Sequence, residues 1–331
     1  MSGWAISSLN MNDLALDDPG VRPGNPYWRN LRVVVTGASG MVGANLVRAL
    51  LLLGSEVHVF VREPSSWRLK DAASRFTAHI WHMQDQEAAH RLLVTVQPGL
   101  IFYCATGRVP ASPEGDATLL KDNVLGAWGL LRASLELPEV KVVMLGSSTE
   151  YGRHQVAMHE DVPCMPDNMH GISKVAVTSM LRGLVARRGL NAVVLRLFHV
   201  YGPLEAPNRL IPTAIRAALR DEELRLTPRG FVRDYIHVSD VVRACLAAAG
   251  SEGTRGEIFN VATGITTDNH DVVEMLSNIA GKSIRTSVGP MVRVIPIDLT
   301  GAAMRGKLVS DCPGAPRSIW RPDCAWSGRA R

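Results

Sequence analysis

Three glycines at three-residue spacing, Gly37, Gly40 and Gly43, sit in the run Thr36-Gly37-Ala38-Ser39-Gly40-Met41-Val42-Gly43. The run joins a β-branched stretch, Leu31-Arg32-Val33-Val34-Val35, to an apolar periodic stretch that starts at Met41. In a strand–turn–helix that binds a dinucleotide, each glycine has a physical task. Gly37 permits the tight turn, Gly40 lets main chain approach a pyrophosphate, and Gly43 lets the helix pack close to the strand. The helix N-terminus, with Ser39, Met41 and Val42 around it, offers free N–H groups and a positive dipole end to the diphosphate.

A unit of this kind that takes NAD ordinarily ends its second strand in Asp or Glu, which holds the ribose 2′-hydroxyl. Here the second strand ends Phe60-Val61-Arg62-Glu63, with Val61 at the acid position and Arg62 beside it. A guanidinium there can pair with a 2′-phosphate, and Ser65, Ser66 and Arg68 can add contacts. NADP(H) is therefore expected in preference to NAD(H). Glu63 keeps NAD(H) open, and in the plain alternative Arg62 is a solvated strand end.

The elements that must position these groups follow from the pattern. Short buried-strand runs recur at 31–37, 56–62, 79–83, 100–107, 140–148 and 190–198, with helical stretches between them, the first at 41–53. Alternation of this kind specifies an α/β fold with a doubly wound parallel sheet. After Arg196 the alternation fades into loops, a helix near 211–220, and a last strand in Glu257-Ile258-Phe259-Asn260-Val261. The expected layout is a dinucleotide domain over 31–195 plus about 232–265, and a smaller C-terminal substrate lobe over about 196–231 plus 266–331. Residues 1–30 lack periodicity and read as an N-terminal extension, which Trp4, Tyr27 and Trp28 could pin to the core.

The 331 residues are 46% hydrophobic and 20% charged, as in a folded globular chain. The net charge of +5 is spread along the chain rather than run together, which argues against a nucleic-acid partner. Five scattered cysteines with no CxxC pair argue against a disulfide framework and against a metal site. Free thiols fit a reducing cytoplasm. The first twenty residues have no basic region before a long apolar core, so they do not read as a signal peptide. The apolar run from Leu46 to Leu53 is broken by Arg48 and too short to span a membrane.

Four separated motifs, TGASGMVG, SSTEYG, HGISK and RDYIHVSD, occur in this order. Together they resemble the extended short-chain dehydrogenase/reductase family, in its branch of NAD-dependent epimerases and dehydratases that act on nucleotide sugars. The resemblance covers about residues 31–322. It implies a Rossmann domain with a smaller C-terminal substrate lobe, and a homodimer through helices at about 117–136 and 171–188. By position it implies that Met83 covers the adenine, with His82 where the family has Asp, and that Ala105 and Thr106 line the cofactor. It makes Asn123 a structural residue. Ser147 would hydrogen-bond the substrate oxygen, and Lys174 would hold the nicotinamide ribose and keep the local field positive. Arg233 would grip the substrate's diphosphate, and Tyr151 is a further candidate substrate contact.

The chain also departs from that family. The family's acid/base is a tyrosine four residues before the lysine, and here His170 occupies that place. His199 stands where the family has Asn beside the diphosphate, and Ile319-Trp320-Arg321-Pro322 looks like a worn LGWxP ending. Three proton sources remain for an alkoxide: His170 itself, a water relayed through Ser147 or Thr149, or an acidic hydroxyl of the substrate. Ser148-Thr149 replace the Asp-Glu pair of the dehydratases. The expected function is an NADPH-dependent ketoreductase acting on a small-molecule ketone, first a nucleotide-linked keto-deoxysugar. The alternatives are a ketone of a larger natural product such as an aromatic polyketide, an epimerase, or an inactive NADP-binding protein.

Overall fold

The computed structural model describes residues 25–63, 66–110, 112–137, 139–154 and 158–289. Trp4, Ser65, Cys312, Cys324, the 319–322 motif and the part of the expected lobe beyond 289 lie outside the described residues.

The first part of the chain alternates strand and helix. It runs β1 (Arg32–Thr36), α1 (Met41–Leu53), β2 (Glu56–Val61), β3 (Thr77–Ile80), α2 (Gln86–Val96) and β4 (Leu100–Tyr103). Next come α3 (Asp116–Leu120), a π-helical turn (Lys121–Leu125), α4 (Gly126–Ser134), β5 (Lys141–Ser147), α5 (Met169–Arg188) and β6 (Ala192–Leu197). The second part holds β7 (His199–Tyr201), α6 (Leu210–Arg220), β8 (Leu224–Leu226), β9 (Val232–His237), α7 (Val238–Gly250) and β10 (Ile258–Val261). It closes with β11 (Thr266–Asp268), α8 (Asn269–Ala280) and β12 (Thr286–Val288).

Seven strands form one parallel sheet in the order β10-β6-β5-β4-β1-β2-β3. The order reverses between β1 and β4, the switch point where open α/β sheets bind ligands beyond their carboxyl ends. The β-branched strands are buried on both faces, because the crossover helices cover both. Val33, Val35, Val59, Phe102 and Val143 pack with Leu46 and Leu50 of α1 and Val242 and Leu246 of α7. Val34, Phe60, Ile101 and Met144 pack with Leu93 of α2, Leu130 of α4 and Leu181 of α5. Trp28 is buried in the first of these clusters, and the Tyr27 hydroxyl donates to Ala249 O at 3.0 Å, so this pair does pin residues 27–28 to the core.

Two expectations change. The third strand spans Thr77–Ile80 rather than 79–83, because the chain leaves the sheet as Trp81 turns into the core and donates its Nε1–H to Asp85 O at 3.1 Å. The segment 232–237, placed above with the large domain, pairs instead in a three-stranded sheet of order β11-β9-β7. Only from α7 onward does the chain return to the large sheet. A third small sheet pairs β8 with β12 and packs on α6 and α8 through Ala214, Ala217, Leu224, Leu226 and Val273. Among the described residues no helix is long and apolar enough to cross a membrane.

Candidate active site

The glycine turn has the geometry its spacing implies. Gly37 has φ 64°, and a Cβ added there would stand 2.6 Å from Ala105 N at the end of β4. A Cβ on Gly43 would stand 2.5 Å from Gly37 O, so only hydrogen lets α1 close on the turn. Gly40 is the extended N-cap of α1, and the first helical turn has no acidic residue and no side-chain cap. Its leading N–H groups are thus left for an anion. Thr36 Oγ1 accepts from Ala105 N at 3.2 Å and locks the two strand ends together.

A cleft of about 630 Å³ opens over this turn. Gly37, Ser39, Gly40, Val61, Arg62 and Met83 line it, together with Ala105, Thr106 and His82. Met41 and Val42 stand half-buried in the first turn of α1. The cradle fits a dinucleotide. A second cleft of about 570 Å³ continues past Ser39 and is lined by Arg62, Ser66 and Arg68. Val61 is buried and brings no carboxylate, and the exposed Glu63 lines the second cleft beside Arg62. Arg62 is exposed and, among the described residues, has no hydrogen-bond or ion-pair partner.

Ser147 closes β5 and caps a short turn at 148–150. Its Oγ accepts from Thr149 N at 3.2 Å and from Thr149 Oγ1 at 2.8 Å. Glu150, 0% exposed, accepts from Ser147 N at 2.9 Å, from Thr178 Oγ1 at 2.9 Å and from Arg196 Nε at 3.0 Å. This buried carboxylate, part of the SSTEYG motif but given no role by it, anchors the Ser147 turn from behind. Helix α5 docks on the same turn. Asn168 caps the helix by accepting from Gly171 N at 2.9 Å. A Cβ on Gly171 would stand 2.3 Å from Thr149 O, so a glycine is required for this approach.

Lys174, one turn further on, is buried and donates to Leu145 O at 2.8 Å. Burial lowers its pKa, and Glu150 works in the opposite direction. Asn123, in the π-helical turn, ties the cofactor floor to this helix. Its Oδ1 accepts from Gly107 N at 2.6 Å and from Thr106 Oγ1 at 3.2 Å, and its Nδ2 donates to Ser173 Oγ at 2.8 Å.

His170 lies at the start of α5, and its Nδ1 is buried with no partner among the described residues. Burial first, and the Lys174 charge second, push its pKa down to about 4. At pH 7 the imidazolium is then about one part in a thousand of the population. Both causes favour the neutral ring. Tyr151, expected above as a substrate contact, is buried instead. It is 0% exposed, packs with Met158, Val162 and Phe198, and donates its hydroxyl to Asn260 Oδ1 at 2.7 Å, so it touches no substrate space.

In the smaller lobe His199 stands edge-on to Tyr235 at 4.8 Å, and Tyr235 donates to Asn269 Oδ1 at 2.7 Å. Burial, followed by Arg209 and Arg233, pushes His199 down to about 4. Arg233 is half-buried on β9. Sequence reasoning missed two members of this cluster. Glu205 is buried with Oε2 unpartnered among the described residues, and burial raises its pKa to about 7. Arg209 Nε lies 3.9 Å from Glu205 Oε1. Their loop carries no periodic signal, and only the fold brings it to β9.

A glycine turn at the switch point, with Ser147 and Lys174 converging at the ends of β5 and α5, defines an extended short-chain dehydrogenase/reductase. The chain belongs to the NAD dependent epimerase/dehydratase family, whose model matches residues 33–262. It is similar to a UDP-glucose 4-epimerase of Corynebacterium glutamicum, 28% identical over 84% of this chain and 89% of that one. It is also similar to a dTDP-glucose 4,6-dehydratase of Streptomyces griseus, 26% identical over 75% of this chain and 78% of that one. Among solved structures it matches the UDP-glucose 4-epimerase of Thermotoga maritima with UDP-glucose, at TM-score 0.73 and 26% identity over 84% and 89% of the two chains. The Thermus thermophilus UDP-glucose 4-epimerase in complex with NAD matches at TM-score 0.73 and 25% identity over 88% and 94%.

Proposed function

We propose that this chain is an NADP(H)-dependent reductase of a ketone on a nucleotide-linked keto-deoxysugar. The observation that carries the proposal is Arg62, which has no partner among the described residues and lines the second cleft beside buried Val61. A cationic fork there suits a 2′-phosphate, and Glu63 on the same cleft is the acceptor that keeps NAD(H) as the alternative. A phosphorylated dinucleotide that exchanges freely supports net reduction rather than an internally recycled epimerase cycle.

The bound reduced dinucleotide supplies the hydride. The chain's own residues manage the oxygen. Both lone pairs of Ser147 Oγ are engaged by Thr149, so its own proton is directed to the substrate oxygen. Lys174 spends one proton on Leu145 O and keeps two for the ribose, and its buried charge favours the developing alkoxide. The Thr149 hydroxyl passes a solvent proton to Ser147. Arg209, Arg233 and His199 offer donors for a diphosphate. Burial and, to a smaller degree, Arg209 lower the Arg233 pKa, so an anion between the two guanidiniums relieves their repulsion.

The neutral ring of His170 favours one second reading, a ketone on a larger natural product whose own phenolic hydroxyl delivers the proton. The reading keeps the helices over 116–134 and 169–188, which expose Leu125 and Ile172, as the homodimer seam. The test is NADPH consumption with a nucleoside-diphosphate-linked 4-keto-6-deoxyhexose against an aromatic ketone. The proposal expects turnover with the first, faster with NADPH than NADH, and Arg62→Ala weakening NADPH far more than NADH. Equal loss for the two cofactors refutes the cofactor assignment, and turnover of the aromatic ketone alone moves the substrate to the second reading.

A further inference from the structure

Two hydrogen bonds from the cofactor half end on consecutive carbonyls of one loop. Asn45 Nδ2, on α1, donates to Pro203 O at 3.0 Å, and Arg68 Nε donates to Leu204 O at 2.8 Å. Arg68 Nη1 also donates to Ser39 O in the glycine turn at 3.3 Å. Its guanidinium lies 4.3 Å over the Trp67 ring, and it lines the second cleft with Arg62 and Ser66. One side chain therefore touches the glycine turn, the cleft assigned to the 2′-phosphate and the loop that leads to the charged cluster of the smaller lobe.

That loop needs holding. Leu204 has φ 66°, a left-handed conformation that a residue with a Cβ adopts only when its surroundings impose it. Glu205 follows immediately, and Arg209 lies four residues further along the same loop, so the 203–204 conformation bears on where both charges stand. Arg68 has five N–H groups. Two meet Leu204 O and Ser39 O, and the other three meet no acceptor among the described residues.

We propose that Arg68 is a positioning residue coupling occupation of the 2′-phosphate cleft to the shape of loop 203–209, so that NADP(H), unlike NAD(H), favours binding of the substrate's diphosphate. The inference rests on the NADP(H) reading above. A phosphate taken by the remaining N–H groups immobilises the guanidinium plane. Both carbonyl bonds are then held, and the loop is ordered before substrate arrives. A second ligand that meets an ordered loop has less ordering to do, which is positive cooperativity. NAD(H) has no phosphate to place there and leaves the loop as it was.

Hydrogen exchange on the full chain tests this, without cofactor and with saturating NADP+ or NAD+. NADP+ is expected to slow exchange across 203–209, and NAD+ to leave it unchanged. Arg68→Met is expected to speed it with no cofactor present. Calorimetric titration with UDP is expected to show about five-fold or more tighter binding to the NADP+ form than to the NAD+ form. That difference vanishes in Arg68→Met. Arg68→Lys, which reaches one carbonyl at a time, restores part of the protection but not the difference. Unchanged exchange across 203–209 in Arg68→Met overturns the proposal. So does selective, tight NADP+ binding that leaves the loop and the UDP affinity unmoved. Failure of the cofactor reading looks different: NADP+ and NAD+ titrate alike and Arg62→Ala alters neither, which overturns both together.

Discussion

Replacing Arg196 with Met strips the buried carboxylate behind Ser147 of its cation, and with it goes the guanidinium that lies 4.6 Å over the Tyr151 ring and donates to Cys164 Sγ at 3.1 Å. Glu150 is 0% and Arg196 3% exposed, and the Nε–Oε2 separation is 3.0 Å. Methionine keeps the volume and removes the charge. Glu150 then retains two neutral donors, Ser147 N–H and Thr178 Oγ1–H, in a site closed to water. Breaking one side of a buried pair costs about 3–5 kcal/mol, because the other charge is left uncompensated. Lys174 lies close enough to act on Glu150 electrostatically and offsets part of this, so the lower end, about 3 kcal/mol, is expected. At about 2 °C per kcal/mol for a chain of this size, Tm falls by about 6 °C in a thermal scan. Glu150→Gln combined with Arg196→Met should recover at least half of that loss, since no charge is then stranded. A Tm shift under about 2 °C for Arg196→Met, or a double variant less stable than the single, would refute the account of this pair.

Further outcomes are expected at other positions. Gly37→Ala should abolish dinucleotide binding in a fluorescence titration, since its Cβ meets Ala105 N at 2.6 Å and its φ is 64°. His170→Phe should leave turnover within about ten-fold of the parent, a barrier change of about 1.4 kcal/mol, and should leave the pH–rate profile between pH 5.5 and 8 unchanged because the ring titrates near 4; loss of all turnover returns the acid role to His170. The folded pKa values of His170 and His199 lie below the ordinary 6.5, so their contribution to stability is present above that pH and is lost as pH falls toward 4. A Tm series over this range checks it. Glu205 has the opposite sign: its folded pKa of about 7 exceeds 4.5, so stability is lost as pH rises through 7. Glu205→Gln should therefore raise Tm at pH 8 and change it little at pH 5.

The sheet and the cofactor cradle were legible because their signals are local. A β-branched run ending in Gly37, followed by glycines that each meet a fixed steric demand, reads the same in one dimension as in three. The third strand was displaced because Trp81 is apolar for a packing reason and not as part of the pleat. The segment 232–237 was misplaced because a short strand carries no mark of which sheet it joins, and that depends on pairing with residues 199–201 and 266–268. His170 was legible as a departure, but its neutrality depends on burial that the sequence does not display. Glu150 and Arg196 are 46 residues apart, and Arg68 and Leu204 are 136 apart. Contacts at such separation leave no periodicity, so these pairings surfaced only in the folded chain.

The π-helical turn at Lys121–Leu125 bears on how the chain tolerates insertions and deletions. A π turn holds one residue more than the α turn it replaces. Deleting a single residue between 121 and 125 would restore a regular helix and leave the packing of α4 in register. It would also redirect the side chains of the turn itself, while the helices on either side keep their register. Asn123 would then swing off Gly107 N and Ser173 Oγ, and the floor of the cofactor cleft would lose its tether to the helix that carries Lys174. A length change invisible to the hydrophobic core would thus be read directly at the reacting end of the site.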